Sequence, residues 1–313
     1  MEHKGNFSQL MRDFFLQQGV DRTYHVALSG GLDSSVLLAL CKEQQVELGF
    51  KLNAIHVNHQ VSPHAAEWAD FCKSICLTHQ VQFIEKKIEI DHQSAAGFEA
   101  QARQKRYDAL VSCVAPGDVL LTAHHQDDQA ETLLLQLLRG AGPKGLSAMP
   151  VIKILEHAIL ARPLLAISRQ ALCDYALSNT LTWVNDESNA DQCYTRNYLR
   201  HSVFPVLQER FPAAVKALAR SANHCAESQV LLEEYALSLL KVVQDEATKN
   251  LSIAKLGALT LPQQRLVLRT WLSQQNIILP DTMKMEVICN EIIAAADDRN
   301  PCLILAVGHQ IRR

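Results

Sequence analysis

No apolar run in this 313-residue chain approaches the roughly 18 residues that cross a bilayer, so a membrane-spanning helix is not expected. The opening Met1-Glu2-His3-Lys4-Gly5-Asn6 has no basic head followed by an apolar stretch, which points to a cytoplasmic protein without membrane association. A positive excess is also missing. Thirty Lys and Arg stand against 33 Asp and Glu for a net charge of −3, which argues against a wholly basic nucleic-acid binder but leaves room for a local basic patch. Of nine cysteines only Cys72 and Cys76 lie close together, and no second pair accompanies them. That usage reads as reduced thiols rather than a disulfide framework or a paired-cysteine metal site. There is no internal repeat and no low-complexity tract. At 48% hydrophobic and 20% charged, the composition is that of an ordinary globular protein, long enough for two domains.

What is present is an alternation. Runs rich in Val, Ile and Leu at 24–28, 51–57, 81–88, 118–123 and 158–165 read as strands, separated by stretches of helical spacing at 32–44, 65–79, 98–113 and 127–138. This order predicts βαβ units and an open parallel sheet, Rossmann-like, with helices on both faces. The polar segment 183–197 has neither period and is expected to be a loop. Beyond Pro205 the texture becomes helical, with a long helix expected over 211–244, helices at 262–274 and 281–295, and a last strand at 302–307. The division falls near 205–220. It gives a first domain of 1–210 and a smaller, mainly helical α+β domain of 211–313.

Between the first strand and the first helix stands Leu28-Ser29-Gly30-Gly31-Leu32-Asp33-Ser34-Ser35. Glycines in a strand-to-helix turn let the backbone approach a ligand, and the first amides of the helix have no partners of their own, so the turn can cradle an anion. Asp33 beside phosphates needs a bridging cation such as Mg²⁺. A plain turn with a capped helix is the simpler explanation of the same residues. The pattern is neither a Walker loop nor a dinucleotide fingerprint. It resembles the pyrophosphate loop, Ser-Gly-Gly-x-Asp-Ser, of the ATP-pyrophosphatase superfamily, whose members split ATP between the α and β phosphates and adenylate a carbonyl oxygen.

A second group is Ala123-His124-His125-Gln126-Asp127-Asp128-Gln129-Ala130-Glu131-Thr132. If Asp127 opens a helix, Asp127, Asp128 and Glu131 share one turn. They would then form either a solvated acidic start or a holder for a cation or an amine. With His56-Val57-Asn58-His59, with Arg139 to Leu146 (Arg-Gly-Ala-Gly-Pro-Lys-Gly-Leu), and with Trp183, Asp186, Ser188-Asn189, Asp191, Tyr194, Arg196-Asn197 and Arg200, this set is similar to the motifs of the tRNA(Ile)-lysidine synthetase family. The likeness is dense over 20–205 and loose beyond. Gln60 departs from it, standing where the family usually has glycine. The chain also ends at Ile311-Arg312-Arg313 where many members continue, so a further C-terminal domain is expected to be absent.

The resemblance implies a carbon–nitrogen ligase that converts the wobble cytidine of CAU-anticodon tRNA(Ile) to lysidine, using ATP, Mg²⁺ and L-lysine. It implies that Ser29, Gly30, Gly31, Leu32, Asp33, Ser34, Ser35, His56, Arg103 and His125 hold the nucleotide. Asp33, Asp128, Glu131 and Arg196 would serve the chemistry, with Asp33 and Asp128 on the metal and Asp128 and Glu131 orienting the amine. A homodimer is compatible with the resemblance alone. Glu99 and Arg103 fit a helical ion pair as well as a phosphate contact, and Arg106 is less easily explained. Arg196, Arg200, Arg210, Lys216 and Arg220 form a local basic excess suited to a tRNA backbone. Trp183 and Tyr194 are either stacking platforms or core. The rivals are a thiolase of the same superfamily, which would need a cysteine by the nucleotide, a small-molecule amidating synthetase, and a non-catalytic nucleotide sensor.

Overall fold

The computed structural model describes residues 2–60, 62–88, 98–185, 191–295, 301–306 and 309–312. It comprises two compact units, Met1–Cys225 and Ala226–Arg313. The first begins with α1 (Glu2–Gln18), β1 (Thr23–Ala27), α2 (Leu32–Leu48), β2 (Lys51–Asn58), α3 (Ala65–Thr78), β3 (Gln82–Lys87), α4 (Phe98–Val111) and β4 (Val119–Leu121). It continues through α5 (Gln126–Leu138), α6 (Pro143–Leu146), β5 (Ile152–Leu155), β6 (Ala158–Ala161) and α7 (Arg169–Ser178). Then come α8 (Thr195–Tyr198), a π-helical turn over Leu199–Val203 and α9 (Phe204–Arg210).

The six strands lie in the order β3-β2-β1-β4-β6-β5, and every pairing is parallel except β5 with β6. Central strands such as β4 are buried throughout because both faces are covered, which is why they read as apolar runs rather than alternations. One face buries Phe7, Met11 and Phe15 of α1, Val36 to Leu40 of α2 and Cys72 and Cys76 of α3 against Tyr24, Val26, Val119 and Leu121. The other packs Leu110 and Val111 of α4 on Ile55, Leu120 and Leu160. At β1 the order reverses: β2 and β3 run to one side, β4 and β6 to the other. Open parallel sheets form their ligand crevice at the carboxyl ends of the two strands flanking such a reversal.

Helix α1 and strand β5 are absent from the alternation read in the sequence. The four apolar residues of α1 that reach the core are scattered among Gln, Arg and Asp, and β5 is a four-residue edge whose middle residues are exposed. The long helix expected over 211–244 is found as α10 (Ala214–Val243), separated from α9 by Phe211-Pro212-Ala213. It begins in the first unit and continues into the second. The second unit adds α11 (Ile253–Gly257), α12 (Leu261–Gln274), α13 (Thr282–Val287) running into a π-helical turn at Ile288–Ile293, and the antiparallel hairpin β7 (Cys302–Ala306) with β8 (His309–Arg312). Leu240, Val243, Leu268, Leu272, Met285 and Ile292 are among its core residues. Among the described residues no helix is long and apolar enough to cross a membrane.

Candidate active site at the strand reversal

The ladder carries the chain to the edge of the crevice. Leu28 N–H still donates to Ile55 O (2.9 Å), and α2 begins four residues later with its first amides directed at the turn. Gly30 has φ +86°, and a Cβ there would lie 2.9 Å from Val184 Cγ2 and 3.1 Å from Cys72 Sγ, so both backbone and space demand glycine. Its carbonyl accepts from Val184 N–H at 2.9 Å, tying the start of the polar segment to the turn. Ser34 and Ser35 are buried. The Ser34 hydroxyl donates to Gly31 O (3.0 Å), meets Ser29 Oγ (3.0 Å) and accepts from Ser29 N–H (3.2 Å), so it braces the turn from within, while Ser29 itself is exposed. His56 supports the turn from β2: its Nδ1 meets Leu28 O at 2.9 Å, and burial lowers its proton affinity.

From β4 the chain turns through His124 and His125 into α5, which starts at Gln126 and not at Asp127. Asp127 and Asp128 therefore occupy its first turn, where the helix dipole favours negative charge. Asp128 Oδ2 accepts from His125 N–H (3.0 Å), and Asp127 Oδ2 from Arg169 N–H (2.9 Å) at the head of α7. The imidazole of His125, 1% exposed, is held among three carboxylates: Nε2 is 3.6 Å from Asp33 and 3.5 Å from Asp128, and Nδ1 is 3.6 Å from Asp127. Burial alone would strip its proton, but the three acids outweigh burial and push its pKa up to about 10. Asp127 answers with a carboxyl below the usual range: burial would raise it, but the His125 imidazole 3.6 Å away and the hydrogen bond from Arg169 N–H prevail.

Glu131, one turn further on and 2% exposed, accepts a two-pronged bond from Arg200, Nε at 2.8 Å and Nη2 at 3.1 Å; Arg200 also reaches Asp128 at 3.3 Å. Burial nevertheless keeps the Glu131 carboxyl above its ordinary range. This pairing corrects one expectation. Arg200 does not belong to an outward basic face, because it is drawn in by the very acids expected to hold an amine. Arg196 likewise turns inward to Thr132 Oγ1 (3.0 Å), whereas Arg210, Lys216 and Arg220 are exposed. The Arg103 guanidinium stands 5.3 Å from the centre of the Tyr107 ring.

Three further expectations take definite form. Trp183 packs half-buried against the first core and is not a free platform. Cys72 and Cys76 are buried free thiols, each pushed up to about 12 by burial. A cysteine does sit beneath the glycine turn, but as a buried thiol held protonated rather than a thiolate. Asp186, Ser188, Asn189 and the side chain of Glu99 lie outside the described residues.

The buried Asp33 Oδ1 has no hydrogen-bond partner, and its other oxygen faces the same imidazole as Asp128. An all-oxygen pair with a spare lone pair suits a hard cation shared with phosphate oxygens. Among the described residues no group of three or more His, Cys, Asp or Glu could hold a metal without such outside ligands.

A family model described as the PP-loop domain matches residues 3–207, and one described as the TilS substrate binding domain matches 251–313. The tRNA(Ile)-lysidine synthase of Actinobacillus pleuropneumoniae serotype 3 is 41% identical over 285 residues, 91% of this chain and 67% of that protein. The chain belongs to the tRNA(Ile)-lysidine synthase family. Other members of the family are similar to a comparable degree: that of Coxiella burnetii is 43% identical over 276 residues, 88% of this chain and 61% of its own. That of Escherichia coli O157:H7 is 42% identical over 289 residues, 92% and 66% respectively. The chain thus spans about two thirds of the length of these relatives. Among solved structures, the U34-tRNA thiolase NcsA from Methanococcus maripaludis shares the fold, with a TM-score of 0.58 at 16% identity over 72% of this chain and 80% of that one.

Proposed function

We propose that the chain forms lysidine on a CAU-anticodon tRNA(Ile) in the cytoplasm. The cytosine 2-oxygen attacks the α-phosphorus of ATP and pyrophosphate leaves. The ε-amine of L-lysine then attacks carbon 2, the carbon–oxygen bond breaks and AMP departs. The observation that carries this reading is the meeting of Asp33, Asp127 and Asp128 around His125, beside the glycine–serine turn and next to the Glu131–Arg200 pair. A site built only to bind ATP would gain nothing from so many acids.

The turn's amides and Ser29 would receive the pyrophosphate, with the His125 cation close by to offset developing charge. Asp33 and Asp128 would hold Mg²⁺, whose chemistry is to neutralise the leaving pyrophosphate. Lysine's amine must lose a proton before it attacks, because its ordinary pKa is about 10.4. His125 is already protonated at neutral pH and cannot take it. Glu131, with its raised carboxyl, would be the acceptor; burial depresses His124 too far for it to serve. The amine would share or replace the place of Arg200 against Asp128 and Glu131. Exposed Arg210, Lys216 and Arg220 would contact the tRNA backbone, with residues 211–313 forming the tRNA-binding domain. The thiolase alternative is weakened by the burial of Cys72.

The test is transfer of labelled lysine to an unmodified CAU-anticodon transcript with ATP and Mg²⁺, followed by mild alkali. Label that survives alkali is attached to the base. Loss of all label in alkali, or none transferred while tRNA is bound, rejects the reading.

A further inference from the structure

Cationic side chains hold the phosphates of an RNA, whereas its unpaired bases are held by aromatic faces. Such faces are scarce on this molecule. Trp183 packs against the first core and Tyr194 is half-buried. Phe211, 61% exposed, is the most solvent-facing aromatic side chain among the described residues, and the other described phenylalanine side chains are buried or half-buried. Its backbone is nonetheless fixed. Phe211 closes α9 with its N–H donating to Leu207 O (2.8 Å), and its carbonyl accepts from Ala214 N–H (2.8 Å) at the start of α10. Pro212 follows, with its narrow range of φ. The ring therefore projects from a rigid corner between two helices, and ordering it on a partner costs little beyond its own two side-chain torsions.

Leaving a phenyl ring in water forgoes the stabilisation that burial gives the chain's other phenylalanines. The charges around it say what covers it. From residue 201 to residue 226 the chain has one acid, Glu209, against the cations Arg210, Lys216 and Arg220, and all four are exposed. Arg210 directly precedes the ring, Lys216 lies in the first turn of α10, and Arg220 follows four residues on along the same face. A second copy of the chain docked symmetrically here would set this positive excess against itself. A polyanion that carries flat apolar rings satisfies both features. We propose that Phe211 is a stacking platform for an unpaired RNA base, with Arg210, Lys216 and Arg220 on the phosphates that flank it. The choice of RNA rests on the lysidine reading, whose substrate offers unpaired bases in its anticodon loop. Every base has a π-face, so the platform orients the loop rather than reading its sequence.

Phe211→Ala, Phe211→Leu and Phe211→Tyr would be compared with the wild-type chain for binding of a CAU-anticodon transcript on filters across a salt series. Phe211→Ala is expected to weaken binding about tenfold, equivalent to about 1.4 kcal/mol, with the log–log salt slope unchanged because no phosphate contact is lost. Phe211→Leu, apolar but without a π-face, should weaken with it, and Phe211→Tyr should bind as the wild type does. A fully paired RNA duplex should bind all four proteins equally. Wild-type affinity for the transcript in Phe211→Ala or Phe211→Leu, with native circular dichroism, overturns the platform, and so does equal weakening for the duplex. A change of oligomeric state in Phe211→Ala by sedimentation, with transcript affinity unchanged, assigns the ring to contact between copies and also overturns it. Failure of the wild-type chain to make lysidine, with the Phe211→Ala loss of transcript affinity intact, would sink the functional reading and leave the platform standing.

Discussion

His125 lies within 3.6 Å of carboxylates from Asp33, Asp127 and Asp128, whereas His124, one residue earlier, is governed by burial and senses Asp128 together with Arg162, Arg103 and Arg106. Both are screened from water, yet one holds its proton up to about 10 and the other is pushed well below the ordinary histidine range. Successive side chains of an extended backbone point to opposite sides, so a single peptide at the end of β4 separates a histidine surrounded by carboxylates from one where arginines outnumber the one acid, Asp128. What differs is the partner set, and that was assembled from distant segments: residues 33, 127 and 128 on one side, residues 103, 106 and 162 on the other. The proposed reaction, which would join a polyanionic nucleotide and nucleic acid to a cationic amine, has use for both.

The comparison can be broken most severely at Asp33. Asp33→Asn keeps the shape but removes one of the two oxygens suited to Mg²⁺, and lysidine formation is expected to fall about 10³-fold in a labelled-lysine assay. Next in size, Glu131→Gln leaves Arg200 partly buried and short of a counter-charge. Thermal unfolding should show a loss of about 2–3 kcal/mol, below the full cost of a wholly buried pair because Arg200 keeps some contact with solvent. The two histidines can be compared directly by NMR titration. His125 should keep its proton until about pH 10 while His124 stays neutral, and Asp127→Asn should lower the His125 midpoint by about one unit. Because His125 binds its proton more tightly folded than unfolded, its stabilising contribution is complete below about pH 6.5 and is lost as pH rises through about 10. The smallest effect lies on the basic side. Gln60 has φ +55° and donates its N–H to Asn58 Oδ1 at 3.0 Å, so it adopts the glycine-like conformation that the family's usual residue would take without strain. Gln60→Gly should stabilise the fold by up to about 1 kcal/mol in denaturant unfolding.

The acidic set was legible in the sequence because its members come as two dense clusters, 29–35 and 123–132, each next to a strand. The basic set was not. Arg162 sits inside an apolar stretch that reads as strand, and Tyr107 and Arg106 sit in a helix whose charges suit a solvated face. Only β4 and β6 pairing in parallel, with α4 laid on that face of the sheet, brings them together. The alternation of strands and helices likewise announced the sheet, but nothing local says that β1 is the point of reversal. The inward turn of Arg200 was equally hidden: TRNYLR reads as surface charge until the π-helical turn at Leu199–Val203 aims it at Glu131.

The bond from Val184 to Gly30, and the contact of the Val184 side chain over that glycine, carry a consequence for biosynthesis. The glycine–serine turn is made within the first 35 residues, but the piece that closes over it leaves the ribosome some 150 residues later. A nascent or proteolysed chain ending before residue 184 would leave Gly30 O without its donor, so completion of this turn marks the emergence of the whole sheet.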